Sequence, residues 1–259
     1  MIYPELKIEK LGDFILLTVN RPDALNALNA NVFNALDDFF TQKHGDYSIK
    51  GVVLTGEGSK AFVAGADIKE FISLNAEEGA KLSKRGQEIF FKIENFHAPV
   101  IAAVNGFALG GGCELAMACH LRVAGQHAKF GQPEVNLGLV PGYGGSQRLI
   151  QYIGKTRAMK LLLTAEMIQA EQALQWGLVN DVVISGEEIN HSMTILEKIS
   201  LKGPLAIMKS ISLVNKYFDK EIDGFQQEYM DFGFTLGSED AKEGASAFIE
   251  KRKPQFKGK

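Results

Sequence analysis

Two hydrophobic periods divide this chain: short alternating or wholly apolar runs of strand length toward the N-terminus, and stripes at three- and four-residue spacing toward the C-terminus. Residues 6–19, LKIEKLGDFILLTV, form two alternating runs around Gly12-Asp13, and this pattern predicts a β-hairpin. Asn29 precedes Val32, Phe33, Leu36, Phe39 and Phe40 at helical spacing, which predicts a helix capped by Asn29 and running to about Lys43. Gly51 to Thr55 reads as a buried strand, the following GEGSKAFVAGAD as a loop, Lys81 to Asn95 as a helix and Pro99 to Val104 as a second buried strand. Strand and helix alternating in this way predict an α/β fold.

Glycines 110–112 lead into a short helix, CELAMACH, then a strand near Leu121 to Ala124 and a Gly- and Pro-punctuated stretch as far as Gly145. Later, Ile207, Ile211, Val214 and Phe218 form one helical stripe, and Ile222, Phe225, Tyr229, Phe232 and Leu236 a second. These stripes either pack on the chain's own core or form a subunit interface. With no repeat and no linker composition in sight, residues 1–200 read as the main body and 201–259 as a helical C-terminal subdomain.

The 259 residues are 46% hydrophobic and 23% charged, enough to build a globular core without disulfide or metal staples. Lys and Arg number 28 against 31 Asp and Glu, a net charge of -3. That balance lacks the broad basic face that phosphate backbones demand, so no nucleic-acid partner is expected. Cys113 and Cys119 are the two cysteines, a count that suits a reducing compartment. The start, MIYPELKIEK, lacks the apolar segment of a secretory signal, and no apolar run reaches 18 residues. A cytoplasmic protein free of the membrane is the expectation.

The 27 glycines invite nucleotide-loop readings, which fail on spacing. Gly154-Lys155-Thr156 has Leu149 where a phosphate loop needs glycine, and Gly110 and Gly112 are followed by Leu115 where a dinucleotide fingerprint needs a third. Ser146 has Arg148 in place of the second glycine of a nucleophile elbow, and Cys113, Cys119, His120 and His127 match no common zinc spacing, so no metal is expected. What remains is residues 61–70 and 105–149. Three glycines opening a helix turn free N–H groups toward a ligand and favour negative charge there, although a tight strand-to-helix connection has the same sequence. Glu114, followed by Leu-Ala-Met-Ala, and Glu134, followed by Val135, Leu137, Leu139 and Val140, are acids in apolar surroundings. Two such carboxyls can divide acid and base work.

These segments identify a resemblance to the enoyl-CoA hydratase (crotonase) family, spanning RPDALNAL at 21–28, AGADIKE, GGGCELAMAC, FGQPE, PGYGGSQRL and the C-terminal FIEKRKPQF. The resemblance implies a spiral of ββα turns with a helical C-terminal region, assembled as trimers that pair into hexamers. It also implies an acyl-CoA thioester substrate with no separate cofactor, in fatty-acid or butanoate metabolism. Residue by residue, it assigns the backbone N–H groups of Ala64 and Gly111 to an oxyanion hole, Glu114 to the general base and Glu134 to the general acid. Substrate contacts fall to Asn26, Ala27, Leu28, Ala64, Gly65, Ala66, Asp67, Ile68, Gly111 and Gly142, with Phe248 and Lys251 offered by a neighbouring subunit.

His120 stands where the family commonly has Asp, which concerns packing, and Tyr143 where a smaller residue is usual. Tyr143 either narrows the acyl pocket or lies on its rim. The presence of both carboxylates favours hydration over double-bond isomerisation with Glu134 as sole base. A non-catalytic RNA-binding member of the fold is the other alternative; it rests on the basic tail KRKPQFKGK, which reads equally as a frayed, solvated terminus.

Overall fold

The computed structural model describes residues 3–259. Strands β1 (Leu6–Leu11) and β2 (Phe14–Val19) form the expected hairpin, Leu11 facing Phe14 across the turn. Helix α1 (Ala30–Gln42) starts where Asn29 predicts: its side chain accepts the Val32 N–H at 3.0 Å, satisfying a donor that the first helical turn leaves open.

The chain then winds through three ββα turns. These are β3 (Gly51–Gly56), β4 (Ala61–Ala64) and α2 (Ala76–Glu94); β5 (Val100–Val104), β6 (Phe107–Leu109) and α3 (Gly111–Ala118); and β7 (Leu121–Gly125), β8 (Lys129–Gly131) and α4 (Gly145–Thr164). Next come β9 (Met167–Gln169), α5 (Ala170–Trp176), β10 (Asp181–Val183) and α6 (Glu188–Ser200). The first strand of each turn enters a six-stranded sheet, β1-β2-β3-β5-β7-β10, and the second enters a four-stranded sheet, β4-β6-β8-β9. Strands of successive turns pair in parallel, whereas β1–β2 and β8–β9 are antiparallel.

The central strands of the larger sheet are mostly apolar, and β5 wholly so, because both faces are covered. Leu17, Val52, Leu54 and Val100 belong to the main core, while Leu16, Val53, Ile101 and Val123 pack with Leu196 of α6. Gly51 makes room for that helix, since a Cβ there would lie 2.6 Å from Leu196 Cδ2.

Three elements depart from the sequence reading. The expected loop at 56–67 contains β4, a four-residue strand of small and apolar residues paired with β6. Helix α2 begins at Ala76 rather than Lys81, with Asn75 and Glu78 forming a reciprocal capping box. Its first two turns bury no apolar side chain, so periodicity does not reveal them. The third departure is a break in α4 at Gly154 (φ 75°, ψ 163°), where two helical segments join.

Helices α7 (Pro204–Lys216), α8 (Gly224–Leu236) and α9 (Glu239–Ile249) complete the chain. Val214, Phe225, Tyr229, Phe232 and Leu236 are 60–86% exposed, so these stripe residues do not pack on the chain's own core. The basic tail is docked, not frayed: the Asp240 carboxylate accepts the N–H groups of Lys257 at 2.7 Å and Gly258 at 2.9 Å, and Arg252 pairs with Glu243 at 2.6 Å. Among the described residues, no helix is long and apolar enough to cross a membrane.

Candidate active site

A cavity of about 510 Å³ opens between the start of α2, the segment after β4, the N-terminus of α3 and residues 133–143. Phe71, Leu74, Leu82, Leu109 and Leu137 give it an apolar wall, and the acids among its lining residues are Glu114 and Glu134. Ala64, Gly65, Ala66, Ile68, Gly111 and Gly142 line it as well.

The glycine turn sets the geometry of one wall. Gly110 adopts φ 49°, which lets α3 start at Gly111 directly after β6. A Cβ on Gly112 would sit 1.8 Å from the Val63 carbonyl oxygen, so only glycine lets α3 abut β4 this closely. The Gly111 N–H lies in the first turn of α3 and finds no acceptor among the described residues. Opposite runs a short parallel bridge, in which Leu28 N–H donates to Gly65 C=O at 2.9 Å and Asp67 N–H to Leu28 C=O at 2.7 Å. The intervening Ala66 N–H has no acceptor among the described residues. This corrects the assignment of Ala64, whose N–H donates to Leu25 C=O at 3.0 Å and is not free to bind a substrate oxygen.

Glu114 is 1% exposed. One oxygen, Oε1, accepts the N–H of Tyr143 at 2.8 Å and of Gly145 at 2.7 Å. Burial pushes its carboxyl up to about 7, the charge of Glu134 adds to the rise, and the two N–H groups and Arg148 oppose it. Glu134 opens the short 3-10 helix 134–137 and is half-buried. Burial raises its carboxyl as well. With its nitrogen turned toward Glu134, the orientation that satisfies both groups, the Gln132 amide donates to the two carboxylate oxygens at 2.8 and 3.1 Å.

Other sequence-predicted residues lie off the cavity. Asn26, at φ 58°, is buried, and its Nδ2 donates to Glu57 C=O at 3.0 Å and Ala61 C=O at 2.8 Å. It therefore clips the 21–28 turn to β4 and does not wall a groove. Leu28 is buried behind Gly111, Ala27 gives its carbonyl to Arg21, and Asp67 pairs with Arg21 at 2.9 Å. Phe248 and Lys251, on and just after α9, are exposed and do not line the cavity.

Tyr143 is buried at 5% exposure, its ring packed edge-on against Phe33 and Phe90, and it lines the inner wall of the cavity. Gly86 leaves the space for that ring, because a Cβ there would come within 2.3 Å of it. His120 is a packing residue, its Nδ1 accepting the Val100 N–H at 2.8 Å while Nε2 meets Glu94 C=O at 3.0 Å. Sequence reasoning missed Gln132, Arg148 and the free N–H of Ala66. Only the last had a signal, as the second alanine of AGAD.

The enoyl-CoA hydratase/isomerase family model matches residues 10–259. The short-chain-enoyl-CoA hydratase of Clostridium acetobutylicum is 45% identical over 249 residues, 95% of each chain. The crotonyl-CoA hydratase of Syntrophomonas wolfei is 44% identical over 257 residues, 99% of each. Among solved structures, an enoyl-CoA hydratase from Geobacillus kaustophilus superposes with a TM-score of 0.94 at 30% identity, covering 100% of this chain and 98% of that one. One from Bacillus anthracis gives 0.92 at 34% identity, covering 98% and 100%. With ββα turns, glycine turn and paired glutamates in place, the chain belongs to the enoyl-CoA hydratase/isomerase family.

Proposed function

We propose that the protein is an enoyl-CoA hydratase that adds water reversibly to a 2-trans-enoyl-CoA to give the 3-hydroxyacyl-CoA. The observation that carries this reading is the convergence of Glu114, Glu134 and the free N–H groups of Ala66 and Gly111 on one apolar cavity. The N–H pair receives the thioester oxygen, polarises the conjugated double bond and stabilises the enolate. Removing one such donor typically costs on the order of 2.7–4 kcal/mol of transition-state stabilisation.

One water sits between the two carboxyl groups. Glu114 takes its proton as the oxygen bonds to Cβ, and Glu134, protonated at the outset, delivers a proton to Cα. Transfer of the proton from Glu114 to Glu134 resets the site. Water supplies both added groups, so the reaction balances without a metal or redox cofactor. The Glu114 carboxyl, held at about 7, suits proton exchange near neutrality, and burial raises the Glu134 carboxyl as well. That the two relatives are a short-chain-enoyl-CoA hydratase and a crotonyl-CoA hydratase supports short acyl chains.

Residues 201–259 serve in this reading as an assembly subdomain forming homotrimers or dimers of trimers. The exposed apolar residues of α7 and α8 support it, and exposed Phe248 and Lys251 are positioned by such assembly to meet a neighbour's CoA. A cytoplasmic setting agrees with two free, buried cysteines.

The test is the rate at which the protein and its Glu114→Gln variant remove the conjugated-thioester absorbance of crotonyl-CoA, with a 3-enoyl-CoA assayed in parallel. Hydration by the native protein and its loss in the variant are expected. Full hydration by Glu114→Gln overturns its role, and turnover of the 3-enoyl ester alone replaces hydration with isomerisation.

A further inference from the structure

We infer that Arg148, paired with Glu94, is a positioning residue for Glu114: it holds the loop at 142–145 so that two of its N–H groups stay aimed at one carboxylate oxygen. The inference rests on the hydration reading for its kinetic consequences, but its geometry is independent of it.

Arg148 lies in the first turn of α4 with a side chain only 4% exposed. Its Nη1 donates to the Tyr143 carbonyl at 3.0 Å, while Nη2 and Nε reach the Glu94 carboxylate at 2.9 and 3.4 Å. The guanidinium also stands 5.1 Å over the Phe91 ring. From the other side Gln87 Nε2 donates to the Gly142 carbonyl at 2.9 Å. Two consecutive loop carbonyls are thus held from outside, and the N–H groups of Tyr143 and Gly145 turn inward to Glu114 Oε1. Gly144, at φ 102°, lets the backbone curl round the guanidinium, for a Cβ there would meet Nη1 at 2.4 Å.

The arrangement needs a planar fork. Lysine supplies the charge but cannot hold a carboxylate along two directions and a carbonyl along a third. The titratable groups that face Glu114 are Cys113 on its own helix, Glu134 on the 3-10 helix, Tyr143 on the loop and Arg148 on α4. Of these, Arg148 is the cation, and it favours the ionised base.

Kinetics of Arg148→Lys and Glu94→Gln, in the native background and with Glu114→Gln, test the proposal, together with the titration of the Glu114 carboxyl followed by infrared difference spectroscopy. In the native background kcat should fall by on the order of 10²-fold, as expected for a misplaced catalytic group, with KM changed less than about twofold and the acid limb of kcat/KM moved to higher pH. With Glu114→Gln already present the same substitutions should cost almost nothing more, because they act through that carboxylate. An equal loss in both backgrounds, or an unmoved Glu114 titration, overturns the proposal. Should the native protein fail to hydrate crotonyl-CoA, the hydration reading falls, and the infrared titration still decides the role of Arg148. If Arg148→Lys does not fold, Glu94→Gln, which keeps the shape of its partner, carries the same comparison.

Discussion

Replacing Glu114 by Gln should remove activity and add stability, and the second effect has a pH signature. The carboxyl is held at about 7 in the folded protein against an ordinary 4.5. Between those values the folded state binds a proton that the unfolded chain has released, so stability falls as pH rises from 4.5 to 7, and the full cost persists above 7. At 1.36 kcal/mol for each pH unit of that interval, the ionised carboxylate costs the fold about 3 kcal/mol at pH 8. Glutamine keeps the shape, its amide oxygen accepts the N–H groups of Tyr143 and Gly145, and it never ionises. Urea unfolding at fixed protein concentration, which holds assembly constant, should show the variant nearly equal to the native protein at pH 4.5 and more stable by about 3 kcal/mol at pH 8. A gain independent of pH, or a loss at pH 8, would refute the claim that buried charge at Glu114 is strained for function.

Gly112→Ala sets a Cβ 1.8 Å from the Val63 carbonyl and must drive β4 from α3; hydration should drop by on the order of 10²-fold as the oxyanion donors part, which initial rates will show. Tyr143→Ala empties the space beside Gly86, Phe33 and Phe90 at the wall of the acyl cavity, and the ratio of kcat/KM for longer over four-carbon enoyl esters should rise. Asn26→Ala strands the carbonyls of Glu57 and Ala61 and puts alanine at φ 58°; urea unfolding should register a loss of about 2–4 kcal/mol.

Features encoded by near neighbours were legible in the sequence. The Gly12-Asp13 hairpin and the Asn29 cap each depend on a few adjacent residues, and the paired glutamates stand among apolar neighbours in motifs that carry the family resemblance. Features that depend on distant partners were not. β4 is a strand because β6 lies beside it. Whether Ala64 or Ala66 offers a free N–H depends on the turn at Leu25 and Asn26, whose φ values of 49° and 58° bring the Leu25 carbonyl to Ala64. Arg148 finds Glu94 from 54 positions away, and no pattern of periodicity or composition announces such a pair.

The most direct measurement of the central claim is the rate of crotonyl-CoA hydration by the native protein and by Glu134→Gln, with binding of a non-reacting acyl-CoA measured alongside. The account predicts fast hydration by the native protein and a loss of about 10²–10⁴-fold in the variant, as befits a removed general acid, with thioester binding retained. Hydration by Glu134→Gln at the native rate would contradict it.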